Sequence, residues 1–225
     1  MSIQPIEDSK RTITAMVQER VREAILEGLL PAGSRIDQNQ LAADLNVSLV
    51  PVREALHKLQ GEGFVQIIPR RGAFVAETSL EDMADIYFTR QITEGQAAYH
   101  AAPRLTDDDL TQLDDLCASM EKAINAQDYP GFMCQNHDFH FIIYQATGSR
   151  YLLNMITSLW DLSERYRYRY MYLKDQGEAV QAEHREILAA CHARDSKRLR
   201  DAIIRHMQHT EQAIRNYYVT HADQD

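Results

Sequence analysis

The sequence predicts a mostly α fold in two parts, an N-terminal winged helix-turn-helix over residues 1–78 and an all-α antiparallel helical bundle over 79–225. Three observations predict it. Apolar residues recur at three- and four-residue spacing through nearly the whole chain. Two short helical stretches flank the tight turn "NVS" in the first third. Strand-like runs occur only once, "FVQIIP" and "GAFVAE" around "RRG", which reads as a hairpin by composition. At 225 residues the chain is also longer than a typical single domain.

The first helix spans roughly residues 9–28, with Val17, Val21, Ala24, Ile25 and Leu29 on one face. Gly28, Pro31 and Gly33 break it. Asp37 is placed to cap "QNQLAADL", and Ser48 to cap "LVPVREALHKLQ". Pro51 falls in that helix's first turn, where its missing N–H costs nothing. From Ser79 onward only helices are expected. Ser79 and Asp82 open one running to about Ala102, Thr106 caps the next, and a third covers about Pro130 to Thr147. A fourth starts at Tyr151 and runs into "ERYRYRYMYLK", the "KDQG" stretch is a loop, and two more span about 178–194 and 196–220.

The net charge of −9 is unevenly divided. Residues 1–78 carry 9 Lys and Arg against 10 Asp and Glu, and the remainder 15 against 23. A basic surface must therefore be local and in the first third. No apolar run approaches the roughly 18 residues of a membrane span, and "MSIQPIEDSK" is not a signal peptide, so a cytoplasmic protein without membrane contact is expected. Cys117, Cys134 and Cys191 are widely spaced and odd in number. They read as buried thiols, not as a disulfide framework or a Cys-rich zinc site.

A winged helix-turn-helix works by steric fit: its second short helix enters the major groove and its hairpin reaches phosphate or minor groove. Arg53 on the exposed face of that helix, and Arg70, Arg71 and Gly72 at the hairpin tip, fit this task, since arginine contacts phosphate or guanine bidentately. The run "LAADLNVSLVPVREALHKLQGEGFVQIIPRRGAFV" resembles the GntR-type regulators across residues 41–75 without a gap. The resemblance implies contacts to a double-stranded DNA operator from Asn39, Ser48, Leu49 and Val50 as well as Arg53, Arg70, Arg71 and Gly72. Where that family usually has Arg-Thr, this chain has Leu49-Val50. These two either touch a thymine methyl, altering base preference, or pack beneath the wing.

In the second part, "CQNHDFH" at 134–140 looks at first like a compact polar site. On a helix, Asn136 and His140 lie about 40° apart in the middle of the apolar face formed by Phe132, Phe139 and Ile143. Asp138 points to the opposite side and His137 to an edge. His184 and His206 likewise lie among apolar neighbours on two further helices, with His192 and His209 at edges. Each imidazole alone fits a hydrogen-bonded core residue. Three together need many buried partners, or one cation that all three share, leaving positions for water or a carboxylate ligand.

The stretches "RQITEGQAA", "NHDFHFIIYQATGS", "EHREILAA" and "ARDSKRLRDAIIRHM" resemble the all-helical FCD ligand-binding domain of the FadR branch of these regulators. In its metal-binding members an Asp or Asn four residues before a His, and two later His, hold a divalent ion. The resemblance thus implies Asn136, His140, His184 and His206 as ligands, with zinc or nickel as the ion. Asn in place of Asp removes one negative charge and should weaken retention.

Arg90 and Glu94 both face the core of their helix. They read either as a buried ion pair that fixes packing or as effector-binding residues, Arg90 anchoring a carboxylate near the metal. In "ERYRYRYMYLK", Tyr166, Tyr170 and Arg169 share a face, while the remaining Arg and Tyr are expected at solvent or a partner subunit. The leading expectation is a homodimeric transcription regulator, not an enzyme, reading a near-palindromic operator and sensing a small organic acid. A metal-dependent hydrolase or lyase with an appended DNA-binding domain is the alternative, and an architectural DNA-binding protein a third. Neither H-E-x-x-H, nucleophile elbow nor Gly-rich phosphate loop is present.

Overall fold

The computed structural model describes residues 12–77, 79–171 and 177–221, without the side chains of 165, 168–171 and 221. The chain divides after Glu77 into two compact units. In the first, α1 (Ile13–Leu26) is capped by the Thr12 hydroxyl, which accepts from the Ala15 N–H, and buries Val17 and Val21 one turn apart. The Asp37 carboxylate accepts from the Asn39 and Gln40 N–H groups and opens α2 (Gln38–Asp44). Asn46, with φ 52°, turns the chain into α3 (Leu49–Gly61). Val52, Ala55, Leu56 and Leu59 form its buried stripe. Burying Leu56 and Leu59 contributes roughly 1.5–3 kcal/mol each.

The strands β2 (Val65–Ile68) and β3 (Gly72–Val75) form the expected hairpin, with Val65 opposite Val75 and Ile68 opposite Gly72. Gly72 has φ 111°, a conformation open to glycine, and Arg70 takes φ 65° in the same turn. A third strand, β1 (Arg35–Ile36), was not anticipated. It pairs with β3, giving the sheet order β1-β3-β2. Two expectations need correction here. Leu29 lies beyond α1 and is 72% exposed, because the helix ends at Leu26. Ser48 stands at the N-cap position of α3 with extended backbone, but its side chain makes no capping bond. Ala24 and Ile25 are partly buried, and Ile25 packs against the core of this unit as expected.

The second unit is all helical: α4 (Leu80–Ala101), a 3-10 turn at Ala102–Arg104, α5 (Asp107–Ala126), α6 (Tyr129–Gln145), α7 (Arg150–Met171), α8 (Gly177–His192) and α9 (Ser196–His221). The Ser79 hydroxyl accepts from the Asp82 N–H, and Thr106 with Asp109 forms a reciprocal capping box. Helix α4 packs mainly on α9 and α7, α5 on α6 and α8, and α8 on α9. At Gly95 a Cβ would meet the Ile204 Cδ1 at 2.9 Å, so glycine permits the close approach of α4 and α9. Met83, Leu113, Met120, Ile143 and Ile156 fill the core. Cys117 and Cys191 are buried within it, whereas Cys134 is exposed, because it points away from the face that carries Phe132 and Asn136. The Lys174–Gln176 part of the expected loop, and Tyr170 and Arg169 as side chains, lie outside the described residues.

Candidate functional site

In the first unit, Arg35, Asp37, Gln38, Asn39, Leu49, Arg53 and Gly72 line one concave surface. The turn between α2 and α3 and the β1–β3 pairing bring them together. The Arg53 Nε donates to the Gln38 Oε1 at 3.3 Å, which holds the guanidinium on the outer face of α3. Asn39, Ser48, Arg53, Arg70 and Arg71 are all exposed. Arg71 lies over the Phe74 ring, 5.8 Å from its centroid. Leu49 and Val50 part ways: Leu49 packs partly buried against the domain core, whereas Val50 is 64% exposed at the start of α3. Sequence reasoning missed Arg35, whose side chain reaches the space beside Gly72. Its cue was weak, since a two-residue strand leaves little pattern.

In the second unit, α6, α8 and α9 bring Asn136, His140, His184 and His206 into one buried cluster. A nitrogen from each histidine lies within 4.8 Å of one from each of the others. The bonds at the far side of each ring set which nitrogen faces inward. The His184 Nδ1 donates to the Val180 carbonyl at 2.9 Å, leaving Nε2 as a lone pair aimed at the Asn136 Oδ1, 2.8 Å away. The His206 Nδ1 donates to the Glu183 Oε2 at 2.7 Å, and the His209 Nδ1 bonds the other oxygen of Glu183 at 2.5 Å. The His140 Nδ1 lies 3.4 Å from the Tyr144 hydroxyl, which itself donates to the Glu94 Oε2 at 2.6 Å. The His140 Nε2 is buried without a hydrogen-bond partner.

The electrostatics suit neutral imidazoles. Burial, then the neighbouring His206 and His184, holds His140 well below the ordinary histidine range. Burial and His206 do the same to His184, against the bond to Val180. Burial alone would raise the Glu183 carboxyl, but the bonds from His206 and His209 outweigh it and keep the group ionised. The residues therefore fit a divalent ion: three inward lone pairs, an amide oxygen, and an orphaned buried nitrogen whose need a cation would meet.

Arg90 and Glu94 adjoin this cluster, both buried. The Arg90 Nε donates to the Glu94 Oε1 at 2.6 Å, its Nη2 to Oε2 at 3.3 Å, and its Nη1 to the Ser163 hydroxyl at 3.0 Å. Burial would lower the Arg90 pKa, but Glu94 raises it further, so the guanidinium stays charged. Sequence reasoning placed the neighbouring Arg167 at solvent or a partner, and this is wrong. Arg167 is 6% exposed, over the Trp160 ring on the same cavity wall as Arg90. Trp160, Ser163 and Arg167 at three- and four-residue spacing were the available cue, masked by the alternation of Arg and Tyr. Glu183 was missed as well, because its partner His206 belongs to another helix.

A winged helix-turn-helix joined to an all-helical domain with a polar, buried cavity is the make-up of a ligand-sensing transcription regulator. Residues 13–75 match the bacterial regulatory proteins of the gntR family, and residues 85–209 match the FCD domain. The chain belongs to the GntR family of bacterial transcription regulators and carries an FCD effector-binding domain. It is 25% identical over 223 residues to the HTH-type transcriptional repressor RspR of Escherichia coli, covering 99% of this chain and 98% of that one. With the HTH-type transcriptional regulator McbR of E. coli it shares 27% over 200 residues, 88% and 90% of the two chains. The solved structure of E. coli McbR/YncC superposes with a TM-score of 0.78 at 25% identity, covering 93% of this chain and all of that one. A Rhodococcus regulator structure, at 21% identity and a TM-score of 0.74 over 91% and 98% of the chains, shares the fold. These families and relatives are transcription regulators, not enzymes. Among the described residues no helix is long and apolar enough to cross a membrane.

Proposed function

We propose that this regulator is a cytoplasmic homodimeric repressor whose two winged helices read the half-sites of a near-palindromic operator. In this reading its helical domain holds a divalent metal, zinc or nickel, and a small organic-acid effector. Asn136 would supply an oxygen and His140, His184 and His206 nitrogens to the ion, which would provide the Lewis acidity that retains a carboxylate. The observation that carries the metal is the unpartnered, buried His140 Nε2 beside two further inward-facing imidazoles. Glu94 positions Arg90, and an incoming carboxylate competes with Ser163 for the Arg90 Nη1. Support for a dimer comes from Phe88, Ile92 and Tyr99, an exposed apolar stripe on one side of α4. RspR, similar over nearly its whole length, is a repressor.

In the DNA-bound state the exposed Asn39, Ser48, Val50 and Arg53 face the groove, Arg70, Arg71 and Gly72 carry the wing contacts, and Leu49 braces α3 from beneath. The effector acts by binding the DNA-competent and incompetent states with different affinity, a coupling of about 1–3 kcal/mol in typical cases. The test is fluorescence anisotropy of metal-loaded protein on an operator selected from random duplexes, with and without a panel of organic acids. A roughly 5-fold or larger shift in Kd with one acid is expected. No shift with any acid would overturn the sensing role.

A further inference from the structure

Arg167 is buried with a vacant hydrogen-bonding group. Its Nη2 donates to the Trp160 carbonyl at 3.2 Å, and its Nε has no partner. Among the described residues no carboxylate lies within ion-pair distance of it. Its guanidinium carbon lies 4.3 Å from the Trp160 ring centroid and that of Arg90 lies 4.6 Å from the same ring, so two cations share one aromatic wall. Arg90 is neutralised by Glu94, with two bonds to its carboxylate. Among the described residues Arg167 has no such bonded counterion, and Glu164 and Glu94 act on it only at longer range. A buried charge left unpaired is costly, and it persists where a ligand supplies its partner.

The same cavity is also lined by Asn136, His140 and His206. The Trp160 ring that carries the two guanidinium groups also lies 5.5 Å from the His140 ring. Asn136 brings no charge to a divalent ion there, and Glu183, held by His206, offsets only half of it. One positive charge at the metal end and one at Arg167 remain for a ligand to meet.

We infer that the effector is a short dicarboxylate, one carboxylate on the metal end and the second on Arg167, and that Arg167 sets the preference for a dianion. This rests on the metal-and-acid reading above and narrows its ligand class. A monocarboxylate leaves Arg167 without a counterion, and a phosphomonoester gathers both charges at one end.

The experiment is isothermal titration of zinc-loaded full-length protein with malonate, succinate and glutarate, their monoamides, and methyl phosphate. The variants are Arg167→Met and Arg167→Lys. In the wild type at least one dicarboxylate binds tenfold or more tighter than its monoamide and tighter than methyl phosphate. Arg167→Met reduces that ratio to within twofold without changing zinc content or monoamide binding, and Arg167→Lys keeps most of it. The melting temperature of ligand-free Arg167→Met rises, since an unpaired buried charge is gone. Equal binding of diacids and monoamides by the wild type overturns the inference, as does a preference unchanged in Arg167→Met or a tighter methyl phosphate. A fall in ligand-free melting temperature assigns Arg167 to packing and overturns it too. If none of these anions binds while zinc does, the organic-acid reading itself fails. If zinc does not bind, the metal reading fails.

Discussion

The His184 Nε2 and the Asn136 Oδ1 face each other at 2.8 Å, and both present lone pairs, because the His184 proton is committed to the Val180 carbonyl. Two arrangements relieve this contact. The amide can turn so that its NH₂ donates, or a cation can accept both lone pairs. Only the second also meets the need of the His140 Nε2, which otherwise stays buried without a partner. Two side chains 48 residues apart thus add to the case that the His140 Nε2 makes for a metal.

Asn136→Asp places a carboxylate where the Asn136 amide oxygen faces the His184 Nε2. An anionic ligand strengthens the hold on a divalent ion, so the variant should bind zinc about tenfold tighter, about 1.4 kcal/mol. Competition with a chromophoric chelator measures it. Unchanged affinity would place Asn136 outside the ligand set.

Glu94→Gln removes the negative partner of Arg90 where both side chains are nearly inaccessible. Breaking a buried pair from one side costs about 3–5 kcal/mol, since a charge is left without compensation. The Tyr144 hydroxyl also loses its charged acceptor. Urea unfolding of the metal-free protein should show a lowered midpoint, and a loss below 1 kcal/mol would contradict the pairing as described.

Arg70 and Arg71 stand exposed at the wing, where phosphate contact is expected. Replacing either with alanine should weaken binding to all duplexes alike and reduce the slope of log K against log salt by about 0.9. Val50→Thr should instead change which operators are preferred, because only an exposed α3 side chain meets base edges. Salt titrations and operator selection separate the two.

Without metal, stability should fall as the pH drops. Both His140 and His184 are held below 6.5, their ordinary value, so the unfolded chain binds more protons than the folded one in the window beneath it. Their contribution is complete above about 6.5 and is lost towards the lower folded values, at up to about 1.4 kcal/mol per pH unit for each group. Urea midpoints in chelator at pH 7.5, 6.5 and 5.5 check the direction. His140→Phe should flatten the dependence.

Much of this molecule could be read from residue order, and the exceptions have physical causes. The apolar pair Val17 and Val21 and the caps Asp37 and Thr106 are local patterns, and the structure follows them. The convergence of three imidazoles was legible because each sits mid-face on an amphipathic helix. What lay beyond reach depended on how helices meet. Glu183, next to His184 in sequence, serves His206 across the α8–α9 interface. Arg167 belongs to a stretch whose polar and aromatic residues alternate, which blurs the helical stripe that Trp160 and Ser163 would otherwise extend. At Ser48 the position of the cap was legible and its bond was not, because the hydroxyl rotamer is not encoded locally.

The most direct test of the metal site is elemental analysis of tag-free protein, wild type beside His184→Ala, with thermal melting as the control for folding. One divalent zinc or nickel ion per chain is predicted in the wild type and its loss in the variant, with operator binding at low salt retained. Equal metal content in the two folded proteins, or none in either after incubation with both ions, would contradict the site.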